Sequence, residues 1–171
     1  SISKGDLILI HASARWKFKG ISNATWAEVI EELIGQGYSV ALTGSPADLD
    51  FNQNLMNLCK KKPILLKGLS LYETAVVVNL ARLVISIDSM IIHLASAFQT
   101  PVVAIFGPTD ERVWAPWKTP HEIVSLGLKD ATSFICRPCG HDGCGGSKIS
   151  QCLMAINSQR ILLATNRLLD G

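Results

Sequence analysis

The chain has 171 residues, 48% of them hydrophobic, and a formal net charge of +2. That length suits a single domain with a core of its own, and no run of eighteen apolar residues exists to cross a membrane. The small charge, with no basic run interleaved with aromatics, argues against a nucleic-acid binder, and five cysteines without a signal peptide set the expectation of a cytoplasmic protein, not a secreted disulfide scaffold.

Asp6–Ile10 is a short apolar run of the kind that forms a buried strand. A loop from His11 to Gly20 follows, rich in hydrogen-bond donors. Trp26, Val29, Ile30, Leu33 and Ile34 then fall on one helical stripe, with Ser22 or Asn23 as cap and Gly35 or Gly37 as stop. Ser39–Thr43 is the next strand and Gly44–Asp48 the loop at its carboxyl end. A helix with Phe51, Leu55 and Leu58 inward leads to a strand at Ile64–Leu66. Ser70-x-x-Glu73 is a capping box that opens a helix to about Ala81. Leu83–Ile87 is a strand, Met90–Phe98 a helix broken by Gln99-Thr100-Pro101, and Pro101–Phe106 a further strand stopped by Gly107-Pro108. Glu122–Leu126 completes the strands. Trp114, Pro116 and Trp117 are expected to cover the sheet edge. A glycine- and cysteine-rich loop spans 133–152. One terminal helix is expected over 153–171, with Ile161, Leu162, Thr165, Leu168 and Leu169 on its packing face. Strands alternating with helices imply parallel βαβ units, hence an α/β, Rossmann-like doubly wound parallel sheet in a single domain, 1–171.

In such a sheet, ligands bind beyond the carboxyl ends of the strands. Asp88 and Ser89 stand at one such end, with His93 one turn into the helix. They suit an anionic ligand, or else Asp88 caps the helix and His93 is a satisfied, half-buried residue. Arg15, Lys17 and Lys19 open on the same edge, either as diphosphate ligands or as a solvated basic loop. Asp48 either accepts from a ribose hydroxyl or caps the helix after it. Gly107–Asp110 is either a ligand loop or a plain turn. Neither G-x-G-x-x-G nor a P-loop is present, against dinucleotide binding and P-loop hydrolysis. Cys136, Cys139, Cys144 and Cys152 supply enough thiolates for a structural Zn site, or are four reduced thiols.

The chain resembles the C-terminal half of glycosyltransferase family 9, the lipopolysaccharide heptosyltransferases, over nearly its whole length. The resemblance is carried by Ile8–Lys19 before Trp26, by Gly44-Ser45-Pro46-Ala47-Asp48 and by Gly68-Leu69-Ser70-Leu71-Tyr72-Glu73. Asp88-Ser89-Met90-Ile91-Ile92-His93-Leu94-Ala95-Ser96-Ala97, Pro101 through Thr109, and the Cys136–Leu153 segment complete it. Met90 stands where the family has Gly, and Gly20-Ile21-Ser22 where relatives have an aromatic-Pro pair. The resemblance implies one half of a two-domain GT-B enzyme, the half that binds an ADP-heptose-like nucleotide-sugar donor for inverting transfer to a lipopolysaccharide-core acceptor. Ser13 and Lys19 would then hold donor phosphates, Asp48 would contact the nucleoside, and Asp88, Ser89 and His93 would line diphosphate and sugar. Lys19 and His93 would assist on the donor side. No cofactor would be required. The acceptor and the general base would belong to an N-terminal half that is absent here, so this domain alone would be inactive, and the full protein would be cytoplasmic, either free or in peripheral contact with the inner membrane. The alternative is a non-catalytic nucleotide or nucleotide-sugar binding module of the same fold.

Overall fold

The computed structural model describes residues 5–127 and 134–170. Ser133 and Gly171, the outer ends of the expected cysteine-rich loop and terminal helix, lie outside the described residues. The strands are β1 (Leu7–His11), β2 (Ser39–Leu42), β3 (Ile64–Leu65), β4 (Leu83–Ile87), β5 (Val102–Ile105) and β6 (His121–Val124). They form a six-stranded sheet in the order β3-β2-β1-β4-β5-β6, with every pairing parallel. The winding therefore runs outward from β1 to β3, then crosses back to β4 and runs the other way. Loops after β1 and β4 leave in opposite directions, and a crevice opens between them at this switch point.

Alternation along the buried strands sorts the helices onto two faces. Ile8, Ile10, Val40, Leu42, Ile85, Ile87, Val103 and Ile105 pack with residues of α1 (Asn23–Gly35), α2 (Leu49–Leu58) and α7 (Ser158–Leu169). Leu9, Ala41, Val84, Val102 and Ala104 pack with α3 (Leu71–Leu80) and α4 (Met90–Phe98). The expected stripe on α1 is the buried one, with Trp26, Val29, Ile30 and Leu33 inside and Ile34 partly so. Ser22 caps α1 by accepting from the Thr25 amide at 3.0 Å. Ser70 and Glu73 close their capping box at the start of α3. Gln99 ends α4 in the left-handed region, φ 58°.

Three expectations fail locally. Leu58 is exposed, because α2 turns only Asn52 and Leu55 fully inward before it ends at Cys59. Trp114, in α5 (Glu111–Trp114), and Trp117 do not cover the sheet edge; both stand largely in solvent. The terminal helix is two helices, α6 (Gln151–Met154) and α7. Asn157 restarts the chain by accepting from the Arg160 amide at 3.1 Å, a cap that breaks any continuous helix through 156–157.

The C-terminal segment is pinned to the loop after β5. A Cβ at Gly107 would lie 2.4 Å from Leu153 Cγ and 2.5 Å from its Cδ1, and Leu153 is buried. Gly107→Ala is therefore expected to destabilise the chain by about 1–3 kcal/mol through overpacking. Denaturant unfolding measures it, and in the double variant with Leu153→Ala the two costs sum to less than their separate values, because the clash is gone.

Candidate functional site

A cavity of about 1080 Å³ opens at the switch point, beyond the carboxyl ends of β1, β2 and β4. Ser13, Lys19, Asp48, Asp88 and Ser89, five of the six expected donor-site residues, line it. His93 is not among the lining residues. The buried stripe of α4 runs through Ile91, Ile92, Ala95 and Ser96, so helical period turns His93 outward, where its ring meets Trp114 edge-on at 6.2 Å between centroids. His93 is thus neither in the cavity nor half-buried.

Lys19 Nζ donates to Asp88 Oδ2 at 2.6 Å, and Thr109 Oγ1 donates to the same oxygen at 2.7 Å. Asp88 is 7% exposed, so the cation and the hydroxyl together hold a buried carboxylate at the floor of the cavity. The alternative role for Asp88, capping α4, is not taken up: Ser89 is the N-cap residue, and no side chain caps it. Met90 and Ile91, on the cavity wall, have amides too early in α4 to find an intrahelical acceptor, whereas the Ile92 amide donates to the Ser89 carbonyl at 3.3 Å. Lys17, the competing lysine, and Arg15 are exposed on the rim, and the Arg15 guanidinium lies 5.5 Å from the Trp16 ring centroid. Asp48 is engaged locally: its Oδ2 accepts from the Ser45 amide at 2.8 Å and from Ser45 Oγ at 2.6 Å. A Cβ on Gly44 would meet Asp48 Cβ at 2.8 Å, so that turn closes tightly on the carboxylate.

Some lining residues carried no sequence signal of their own. His11 ends β1, and burial lowers its pKa, against the opposing effects of Asp48 and the Thr43 backbone. Its place at a strand end was the available clue. Ile149, Ser150 and Met154 come from the C-terminal segment, and no period or spacing in the sequence connects them to β1.

Arg137 anchors the loop on the β5 side of the site. It is 7% exposed and donates to the Gly107 carbonyl, to the Leu126 carbonyl at 2.9 Å and to Glu111 Oε2 at 2.8 Å. The Gly140 amide donates to the Pro108 carbonyl at 2.9 Å. Gly107–Asp110 is therefore no free turn; it is tied down from behind and delivers Thr109 to Asp88. The flanking cysteines are free thiols, with Cys136 and Cys144 exposed and Cys152 buried. Burial pushes the Cys152 thiol up to about 11. Among the described residues no group of three or more His, Cys, Asp or Glu side chains is gathered to hold a metal, so the structure does not form the expected zinc ligand set. Among the described residues no helix is long and apolar enough to cross a membrane.

A six-stranded parallel sheet with this crevice is the architecture of one half of a GT-B glycosyltransferase. The solved structure of Escherichia coli ADP-heptose lps heptosyltransferase II superposes with a TM-score of 0.81 at 23% identity, over 98% of this chain and 47% of that one. The chain belongs to glycosyltransferase family 9 (heptosyltransferase), whose family model matches residues 2–138. It is 36% identical over 118 residues to lipopolysaccharide heptosyltransferase 3 of Escherichia coli strain K12, and 34% identical over 116 residues to the enzyme of that name from Escherichia coli. Those matches cover 67% and 66% of this chain but 34% of each relative, so the chain spans about a third of the length of these curated relatives.

Proposed function

We propose that the chain is the donor-binding half of an inverting glycosyltransferase that takes an ADP-heptose-like nucleotide sugar and serves lipopolysaccharide core assembly. The observation that carries this reading is the Lys19–Asp88 pair at the floor of a cavity whose wall includes the buried, unpartnered hydroxyl of Ser13. Ser13, Lys19 and the Met90 and Ile91 amides at the start of α4 are donors suited to a diphosphate, and they stabilise the negative charge that grows on it as the sugar leaves. A lysine and a helix N-terminus do this without a nucleotide-bound metal. Asp48 lies on the cavity wall where a ribose hydroxyl can donate to it. The acceptor and the base that activates it belong to a second half, which also carries any peripheral membrane contact on the cytoplasmic side. By itself this half binds donor without transferring sugar.

Calorimetric titration of the chain with ADP, UDP and GDP tests the reading. Saturable binding, tightest for ADP, is the expected result. No saturable binding of any of the three at millimolar concentration overturns it. Met90 favours a second reading, a non-catalytic binding module, because its side chain stands on the cavity wall where the family has Gly. Donor hydrolysis or transfer once the second half is supplied excludes that module.

A further inference from the structure

Five described side chains have a buried polar atom with no hydrogen-bond partner: His11 Nδ1, Ser13 Oγ, Trp26 Nε1, Asn52 Oδ1 and Ser150 Oγ. Three of them, His11, Ser13 and Ser150, line the same cavity. The large majority of buried polar groups are satisfied by protein or water, so three such groups on one cavity wall are groups that a ligand or a water in the cavity can complete. Ser150 is the unexpected member. It lies beyond residue 138, where the match to the family ends, and it comes from the segment that follows the cysteine-rich loop.

Ser150 has the position of an N-cap for α6 but does not cap it with its side chain, although it is only 3% exposed. Its neighbours hold it in place from both sides. Leu153 is wedged against Gly107 after β5, and the Ile156 carbonyl accepts from Thr25 Oγ1 of α1 at 3.5 Å. The strand order sets out the cavity along the sheet edge. Pro46, Ala47, Phe51, Leu69 and Leu71 form an apolar slot at the β2–β3 end, suited to a flat base. Lys19 and Ser13 follow at β1, where a diphosphate fits. The C-terminal segment joins from the β5 side, next to the β4 end with its Asp88 and Ser89, which leaves that end for the sugar.

We infer that Ser150 hydrogen-bonds a hydroxyl of the donor's sugar, with Ile149 and Met154 supplying apolar surface beside it, so that the C-terminal segment selects the sugar of the nucleotide donor. This rests on the donor-binding reading above. Ser150→Ala in this chain, titrated with ADP and with ADP-heptose, separates the two. ADP-heptose affinity falls roughly fivefold while ADP affinity stays within about twofold, since one neutral hydrogen bond to the sugar alone is lost. The thermal midpoint does not fall, because the hydroxyl has no partner within the protein to lose. Ser150→Leu, which fills the wall, removes whatever affinity ADP-heptose has over ADP. Unchanged binding of both ligands, an equal loss for both, or a lowered midpoint with unchanged selectivity overturns the role of Ser150 and leaves the donor site standing. A wild-type chain that binds neither ligand overturns the donor-binding reading and this inference with it.

Discussion

Lys19→Ala is expected to weaken ADP binding on the order of 10- to 100-fold and to destabilise the fold by about 2–3 kcal/mol. Two different losses are involved. The first is the charge-assisted contact that Lys19 makes to a diphosphate in the proposed donor site. The second is the cation that faces Asp88: without it, a carboxylate 7% exposed keeps only the Thr109 hydroxyl as a side-chain partner among the described residues. Asp88→Asn separates them, because it removes the charge but keeps an oxygen that Thr109 and Lys19 can donate to. In the Lys19→Ala/Asp88→Asn double variant, stability returns toward wild type while ADP binding stays weak. Denaturant unfolding and calorimetry read the two effects independently. If Lys19→Ala binds ADP as the wild type does, the diphosphate site is elsewhere. If the double variant is as unstable as Lys19→Ala, an uncompensated Asp88 charge is not the cause.

Arg137→Met carries the largest expected cost to stability, about 3–5 kcal/mol. The substitution keeps much of the aliphatic volume but orphans the Gly107 and Leu126 carbonyls and leaves Glu111 facing a buried gap. For a domain of this size that corresponds to a fall in thermal midpoint on the order of 10 °C. Glu111 is partly exposed and also accepts from Ser125 Oγ at 3.2 Å, so Glu111→Gln, which retains an acceptor, costs much less. A fall of under about 1 kcal/mol for Arg137→Met would mean that the two carbonyls find other donors. Nucleotide affinity is expected to drop as well, since the loop that Arg137 ties down is the one that places Thr109 on Asp88.

Much of this arrangement was legible in the sequence, for reasons that are local. The alternation of apolar strands and amphipathic helices dictates a doubly wound parallel sheet, and the strand-end rule then places Ser13, Asp48, Asp88 and Ser89 on one edge. Ser70 with Glu73, and Ser22 before Thr25, identify helix starts from within four residues. What escaped the sequence was long-range or depended on a facing. Lys19 meets Asp88 across 69 residues, and nothing in either segment distinguishes Lys19 from Lys17. His93 is adjacent to the site in sequence, yet the stripe at Ile91, Ile92 and Ala95 rotates it to the outside. Arg137 lies between two cysteines whose spacing suggested metal, and its part becomes visible only once Gly107 and Leu126 are beside it. Ser150 reaches the cavity from a segment whose composition resembles a surface loop.

The position of α7 has a consequence for how the chain is made. It covers β4, β5 and β6 on one face and leans on α1, so a helix that comes after every strand of the sheet closes the core. A nascent chain that has emerged only as far as residue 150 has its whole sheet available, but Ile87, Val103, Ile105 and Val124 still lack their cover. The same chain lacks the Leu153 wedge that fits Gly107. Folding during synthesis therefore cannot finish strand by strand; an open apolar face persists until α7 has left the ribosome, and that interval is when these strands are most exposed to aggregation and most in need of a chaperone.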